Sequence, residues 1–150
     1  MRTIYSYQAQ LVRLLSRLSW LKQPAHVYAY PTSTDHSRGI IGSGPHFFAH
    51  PEDFQWKLVN GATFSFNEDV QVVAGALYVA AYSYQYTEPS SETGQGFFFR
   101  FDLEDIPVTR GKPQPHLHVS GGRPDAHKIH FPSARVTLPQ VLDLIEAQVL

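Results

Sequence analysis

Between residues 62 and 131 apolar and polar side chains alternate with a period of two, broken at intervals by Gly, Pro, Ser and Asn. That rhythm belongs to β-strands rather than helices. Half of the aromatic residues fall within residues 62–101, as expected of a pleated, half-buried surface. The segments 62–66 and 70–73 flank Asn67-Glu68-Asp69, a polar triplet that reads as a hairpin turn. Strands follow over 76–87 and, past the polar turn that begins at Glu88-Pro89, over 96–103. Two more are expected over 115–119 and, after Gly121-Gly122-Arg123-Pro124-Asp125, over 127–131. The pattern predicts a single antiparallel sheet of about five to six strands.

Helices enclose that run. Leu11, Leu14, Leu15, Leu18 and Leu21 share one helical face, predicting a helix over about 5–21 that Pro24 ends. Arg13 and Arg17 lie on another face. They read as solvated arginines on a helix packed against the sheet, or as a basic surface for a membrane, RNA or a partner. Residues 24–50, rich in Pro, Gly, Ser, Thr and His, read as a loop-rich excursion. Pro51-Glu52-Asp53 followed by Phe54, Trp56 and Leu58 suggests one short helix closed by Asn60-Gly61. Thr137-Leu138-Pro139-Gln140 has the form of a capping box opening a helix over 138–149. The expected architecture is α+β: one domain over 1–150, its sheet (62–131) flanked by an N-terminal and a C-terminal helix that cover the apolar face.

Composition narrows the chemistry. With 150 residues, 43% of them hydrophobic and 17% charged, the chain can bury a core without disulfides or a structural metal. It has no cysteine, which excludes thiol nucleophiles, iron–sulfur clusters and thiolate zinc sites. Twelve Lys and Arg against 13 Asp and Glu give a formal charge of −1, so nucleic-acid binding needs a local patch. No apolar run approaches the roughly 20 residues of a membrane span, and the N-terminal leucines are interrupted by arginines, so a cytoplasmic protein with no membrane partner is expected.

Strand parity then sorts the side chains by face. Phe97, Phe99, Phe101 and Leu103 share one side against Phe98, Arg100 and Asp102; Leu117 and Val119 oppose His116 and His118; Ile129 and Phe131 oppose Lys128 and His130. In 76–87, Leu77, Val79 and Ala81 oppose Tyr78, Tyr82, Tyr84 and Tyr86. Neighbouring strands must align their apolar faces, because a one-residue slip would expose all of them. The reverse face then gathers Arg100, Asp102, His116, His118, Lys128 and His130, with Tyr82, Tyr84 and Tyr86 beside them as a substrate platform on which bases stack. The tyrosine stripe also reads as packing, beneath a helix or at a homodimer interface. His26, His36, His46 and His50 lie in the loop region and take no role.

Tyr82-Ser83-Tyr84, a turn, Phe99-Arg100-Phe101-Asp102, the His116-x-His118 pair and a closing helix from Leu138 to Ile145 together resemble the TumE-like proteins of prokaryotic toxin–antitoxin modules. The resemblance covers about residues 76–147. In that family histidines come soon after the Arg-Tyr-Asp strand; here Leu103-Glu104-Asp105-Ile106-Pro107 intervenes before His116. The resemblance implies a toxin-like protein restrained by a cognate antitoxin and acting on RNA, with Arg100, Asp102, His116 and His118 as the matching positions.

Three functions suit this face. The first is an endoribonuclease without a cofactor. His116, His118 and His130 would supply general acid and base, Arg100 and Lys128 would stabilise phosphate charge, and Asp102 would support them. The second is a non-catalytic module, of toxin–antitoxin or defence type, that binds a partner protein through its aromatic face. The third is a hydrolase in which His116, His118 and His130 ligate a divalent metal, with Asp102 as a carboxylate ligand.

Overall fold

The structure, a computed structural model, describes residues 3–45, 54–90, 96–104, 114–120, 130–148 and 150. Two helices, α1 (Ile4–Leu15) and α2 (Leu138–Gln148), bracket eight strands: β1 (Tyr28–Pro31), β2 (Arg38–Gly42), β3 (Trp56–Lys57), β4 (Thr63–Val73), β5 (Ala76–Thr87), β6 (Phe98–Leu103), β7 (His116–Ser120) and β8 (Phe131–Pro132). They form one sheet in the order β1-β2-β4-β5-β6-β7-β8, with β3 paired to β4. Every pairing among the described residues is antiparallel. The α+β class holds, with more strands than the five to six expected.

The additional strands come from segments whose polarity disguised them. Residues 24–50 are not all excursion: β1 and β2 form a hairpin there, turned by Asp35, whose Oδ1 accepts from the hydroxyls of Ser33 (2.8 Å) and Ser37 (2.7 Å). Those bonds hold the Asp35 carboxyl down at about 2. Of the short helix expected after Pro51, residues 51–53 lie outside the described residues, Phe54 stands in a 3-10 turn, and the part from Trp56 onward is not helical. Trp56 and Lys57 instead pair with Phe64 and Thr63 on the edge of β4, end to end with β2. Helix α1 stops at Leu15 rather than continuing to 21, because Gln23 donates its side-chain amide to the Leu15 carbonyl (3.0 Å), while Leu21 bridges to Leu58.

Two further corrections concern the sheet itself. Asn67-Glu68-Asp69 is no turn but the middle of β4; the hairpin to β5 turns at Ala74-Gly75, both with positive φ (51° and 79°), the backbone of a tight two-residue turn. Glu68 points inward and is tolerated there because Tyr7 and Tyr84 each donate a phenol hydrogen bond of 2.6 Å, one to each carboxylate oxygen. The second correction is a bulge in β5: Asp69 pairs with Ala81 but Val70 with Val79. The inserted residue reverses the parity, so Leu77, Val79, Tyr82, Tyr84 and Tyr86 all lie on one side.

That side is the core. Phe64, Phe66, Val70, Tyr82, Tyr84, Tyr86 and Phe99 are buried in one cluster with Ile4, Tyr7, Leu11 and Leu15 of α1 and Leu138, Val141, Leu142 and Ile145 of α2. Tyr82 and Tyr84 stack at 4.7 Å and Tyr86 and Phe99 at 5.3 Å. Helix α2 opens as the capping box requires: Thr137 N–H donates to Gln140 Oε1 (2.9 Å) and Gln140 N–H to Thr137 Oγ1 (3.4 Å). No described helix is long and apolar enough to cross a membrane.

Burial raises the Glu68 carboxyl above its ordinary value, and the two phenol bonds pull it only partly back. Its contribution to stability is therefore complete below the unfolded carboxyl value of about 4.3 and is lost as pH rises through the raised folded value, at up to about 1.4 kcal/mol per pH unit. Glu68→Gln, which can bond both phenols without a charge, is expected to flatten that slope in urea unfolding measured from pH 4 to 8. Thr137→Ala is expected to cost about 1 kcal/mol, read as a drop of about 2–4 °C in melting temperature.

Candidate metal centre

The face opposite the core is set by register. β6 and β7 pair Asp102 with His116 and Arg100 with His118, so these four side chains emerge on one side of the sheet, while Phe101 and Leu117 emerge on the other. His130 precedes β8, whose Phe131 pairs with Leu117, and this brings a third imidazole beside the other two. The ring centroids are 5.0 Å (His116–His118), 5.1 Å (His116–His130) and 4.5 Å (His118–His130) apart, with interplanar angles of 66°, 65° and 69°. Three rings that meet edge to face at nearly equal spacing surround a common point.

One ligand nitrogen from each ring lies within 4.8 Å of the others. Imidazole nitrogens on a tetrahedral zinc, with bonds of about 2.0–2.1 Å, stand about 3.4 Å apart, a difference that small side-chain rotations span. His116 and His118 are 0% and 1% exposed. Both ring nitrogens of His116, and Asp102 Oδ1, are buried without a hydrogen-bond partner among the described residues. Leaving such atoms unpaired costs about 1–3 kcal/mol each, so a cluster of them calls for a bound group. Three neutral nitrogens with no thiolate suit zinc, nickel, copper or iron, and three protein ligands with an open fourth position are the catalytic form of a zinc site. The residues present therefore can hold a metal ion.

Asp102 and Arg100 form the supporting layer. Arg100 Nε donates to Asp102 Oδ2 at 2.8 Å, and the same oxygen lies 3.3 Å from His118 Nε2 and 3.5 Å from His116 Nε2. The Arg100 guanidinium also meets His118 Nε2 at 3.1 Å. Arginine has only donors, so in that contact Nε2 is the acceptor and carries no proton. Arg100 thus reaches the imidazoles from outside, its side chain 31% exposed.

Arg100 also lines a cavity of about 390 Å³ on the same face, with Ser65, Asn67, Ser83 and Gln85 among its walls. The register explains the alignment. Gly42, Asn67, Ser83, Asp102 and His116 lie directly across successive strands, as do Ser65, Gln85, Arg100 and His118. The groove residues were not foreseen, because the parity assigned to 76–87 put the tyrosines where Ser83 and Gln85 stand. The one trace of the bulge in the sequence is Ala80-Ala81, where the large side chains of the core face change from odd positions (Leu77, Val79) to even ones (Tyr82, Tyr84, Tyr86).

Of the residues singled out from sequence, His116, His118, His130, Arg100 and Asp102 come together. Tyr82, Tyr84 and Tyr86 do not: they face the opposite side, buried under the helices. Lys128 lies outside the described residues. No family model, curated protein or solved structure matches the chain.

Proposed function

We propose that the chain is a metal-dependent hydrolase of phosphodiesters, with His116, His118 and His130 holding a divalent ion of the zinc type. The observation that carries this reading is His116: a fully buried imidazole with neither nitrogen hydrogen-bonded among the described residues, inside a ring of three. An imidazole acting as acid or base on a ribose hydroxyl must touch it, whereas buried imidazoles can act on a substrate through an ion they hold. A bound cation there would supply Lewis acidity toward a phosphoryl oxygen and an activated water.

The chain's own residues do the rest. Arg100, the cation that stands between cluster and groove, would take a non-bridging phosphate oxygen by charge-assisted hydrogen bonds. Asp102 holds the guanidinium through Nε and sets a negative charge 3.3 and 3.5 Å from the Nε2 atoms of two imidazoles, which favours a cation held by them. Ser65, Asn67, Ser83 and Gln85 offer hydroxyls and amides along the approach. The resemblance of residues 76–147 to the TumE-like toxins agrees with RNA as the substrate and adds a restraining antitoxin as the partner.

The purified chain is expected to carry about one equivalent of metal by elemental analysis. Zinc at a hundred times its dissociation constant is expected to stabilise it by about 2.7 kcal/mol. Chelation should abolish cleavage of an RNA oligonucleotide, and metal should restore it. Asp102→Asn should weaken metal binding about 10–100-fold, and Arg100→Ala should cut kcat about 10²–10³-fold with metal content unchanged. Metal far below one equivalent, with stability and cleavage indifferent to chelator, would return the histidines to acid–base chemistry; no cleavage under any condition would remove the enzyme.

A further inference from the structure

A second cavity, of about 430 Å³, lies at the β1–β3 edge of the sheet, lined by Lys22, His26, Tyr28, Phe54, Trp56 and Lys57 among others. Its walls are aromatic. The Tyr28 and Phe54 rings meet edge to face at 6.0 Å, and the Trp56 indole is fixed by donating to the His26 carbonyl at 2.8 Å. Its charge is positive. Lys22 donates its backbone N–H to the Lys57 carbonyl at 2.9 Å, which holds the two residues side by side. Neither ammonium is ion-paired, and no carboxylate lines either cavity among the described residues.

This pocket adjoins the cavity already described, with Ser43 in the wall of both. It is also in line with it. Tyr28 pairs with Gly42, which heads the row Asn67, Ser83, Asp102, His116. Five strand spacings of about 4.8 Å separate the two ends of that row, about 24 Å. Gly42 places no side chain between Tyr28 and Asn67. A polar row of this length, with stacking rings and cations at one end, a half-exposed guanidinium further along and the buried imidazoles behind it, matches an extended polyanion that carries flat rings.

We infer that the polar face of the sheet is a track for single-stranded RNA, on which the Lys22–Lys57–Tyr28–Phe54 pocket takes one base and the two phosphates that flank it while the chain runs past Arg100 to the histidines. The track deepens the phosphodiesterase reading by naming its substrate and rests on it for the direction of the strand. It explains how a chain of charge −1 holds a polyanion: the positive groups are few but aligned. Aromatic stacking supplies affinity without sequence preference.

The test uses the full metal-loaded chain and a fluorescein-labelled 2′-O-methyl oligoribonucleotide of about twelve nucleotides, its integrity checked on a gel, followed by anisotropy across a salt series. The wild type is expected to bind. Lys22→Gln with Lys57→Gln should weaken binding and reduce the slope of log K against log salt by about 1.4, the loss of two phosphate contacts on a single strand. Tyr28→Ala should weaken it about tenfold. Melting temperature and metal content equal to wild type show that fold and cluster are intact in the variants. Binding indifferent to both substitutions, no binding by wild type, or equal lysine-dependent binding of polyglutamate would each overturn the track. Lysine-dependent oligonucleotide binding by a chain that holds no metal would instead sink the hydrolase and leave the track standing.

Discussion

The candidate metal centre depends on the pairing of β6 with β7. Two strands of only six and five residues meet so that Asp102 faces His116 and Arg100 faces His118. Shifted by one residue, the same strands would drive both imidazoles into the aromatic core and set Leu117 and Val119 on the polar side. The register is therefore held by the hydrophobic effect acting on the other face: Phe99 and Phe101 must meet the tyrosines of β5, and the histidines follow because side chains alternate. The apolar side of the sheet thus positions the polar side without touching it.

The two faces solve the problem of buried polarity in different ways. Beneath the helices, Glu68 is the one buried carboxylate among the described core residues, and it is saturated: each oxygen accepts a short bond from a tyrosine hydroxyl. That arrangement ties α1, β4 and β5 together and has nothing left over for a ligand. On the reverse face Asp102 accepts from Arg100 through one oxygen, while its other oxygen and both nitrogens of His116 are buried without a hydrogen-bond partner among the described residues. Equal burial with unequal satisfaction separates a closed structural network from one with room for a ligand. It is the main reason to place the chemistry at β6–β7 rather than at the phenols and carboxylate of the core.

Much of the site was legible in the sequence and much of the fold around it was not, for one physical reason. Over β6 and β7 the alternation is unbroken, so parity alone grouped Arg100 and Asp102 on one side and His116 and His118 likewise. Over β5 a single inserted residue reverses the alternation, and the tyrosines that parity assigned to the polar side stand in the core. In β4 a run of Asn, Glu and Asp looked like a turn because the partners that make Glu68 acceptable inside a strand, Tyr7 and Tyr84, are distant in the chain. The strands at 28–31 and 38–42 were hidden for a related reason. Each is short and weakly apolar: 38–42 is a strand because β4 offers it a template of hydrogen bonds, and 28–31 because β2 then offers its free edge.

Taken alone, the amino-acid order determined the local rules: two amphipathic helices, strands with one oily side, a capped start at Thr137, and a His-x-His pair whose two rings must point the same way. Those follow from periodicity and from neighbours a few residues apart, where geometry is nearly the same in any fold. Tertiary structure decided which sides coincide, that His130 joins the pair, that the serines and amides of β4 and β5 rather than the tyrosines extend the site, and that a lysine-rich aromatic pocket shares its row. Each of these turns on register between strands far apart in the chain, and a one-residue bulge, which costs little locally, exchanges inside for outside along everything that follows it.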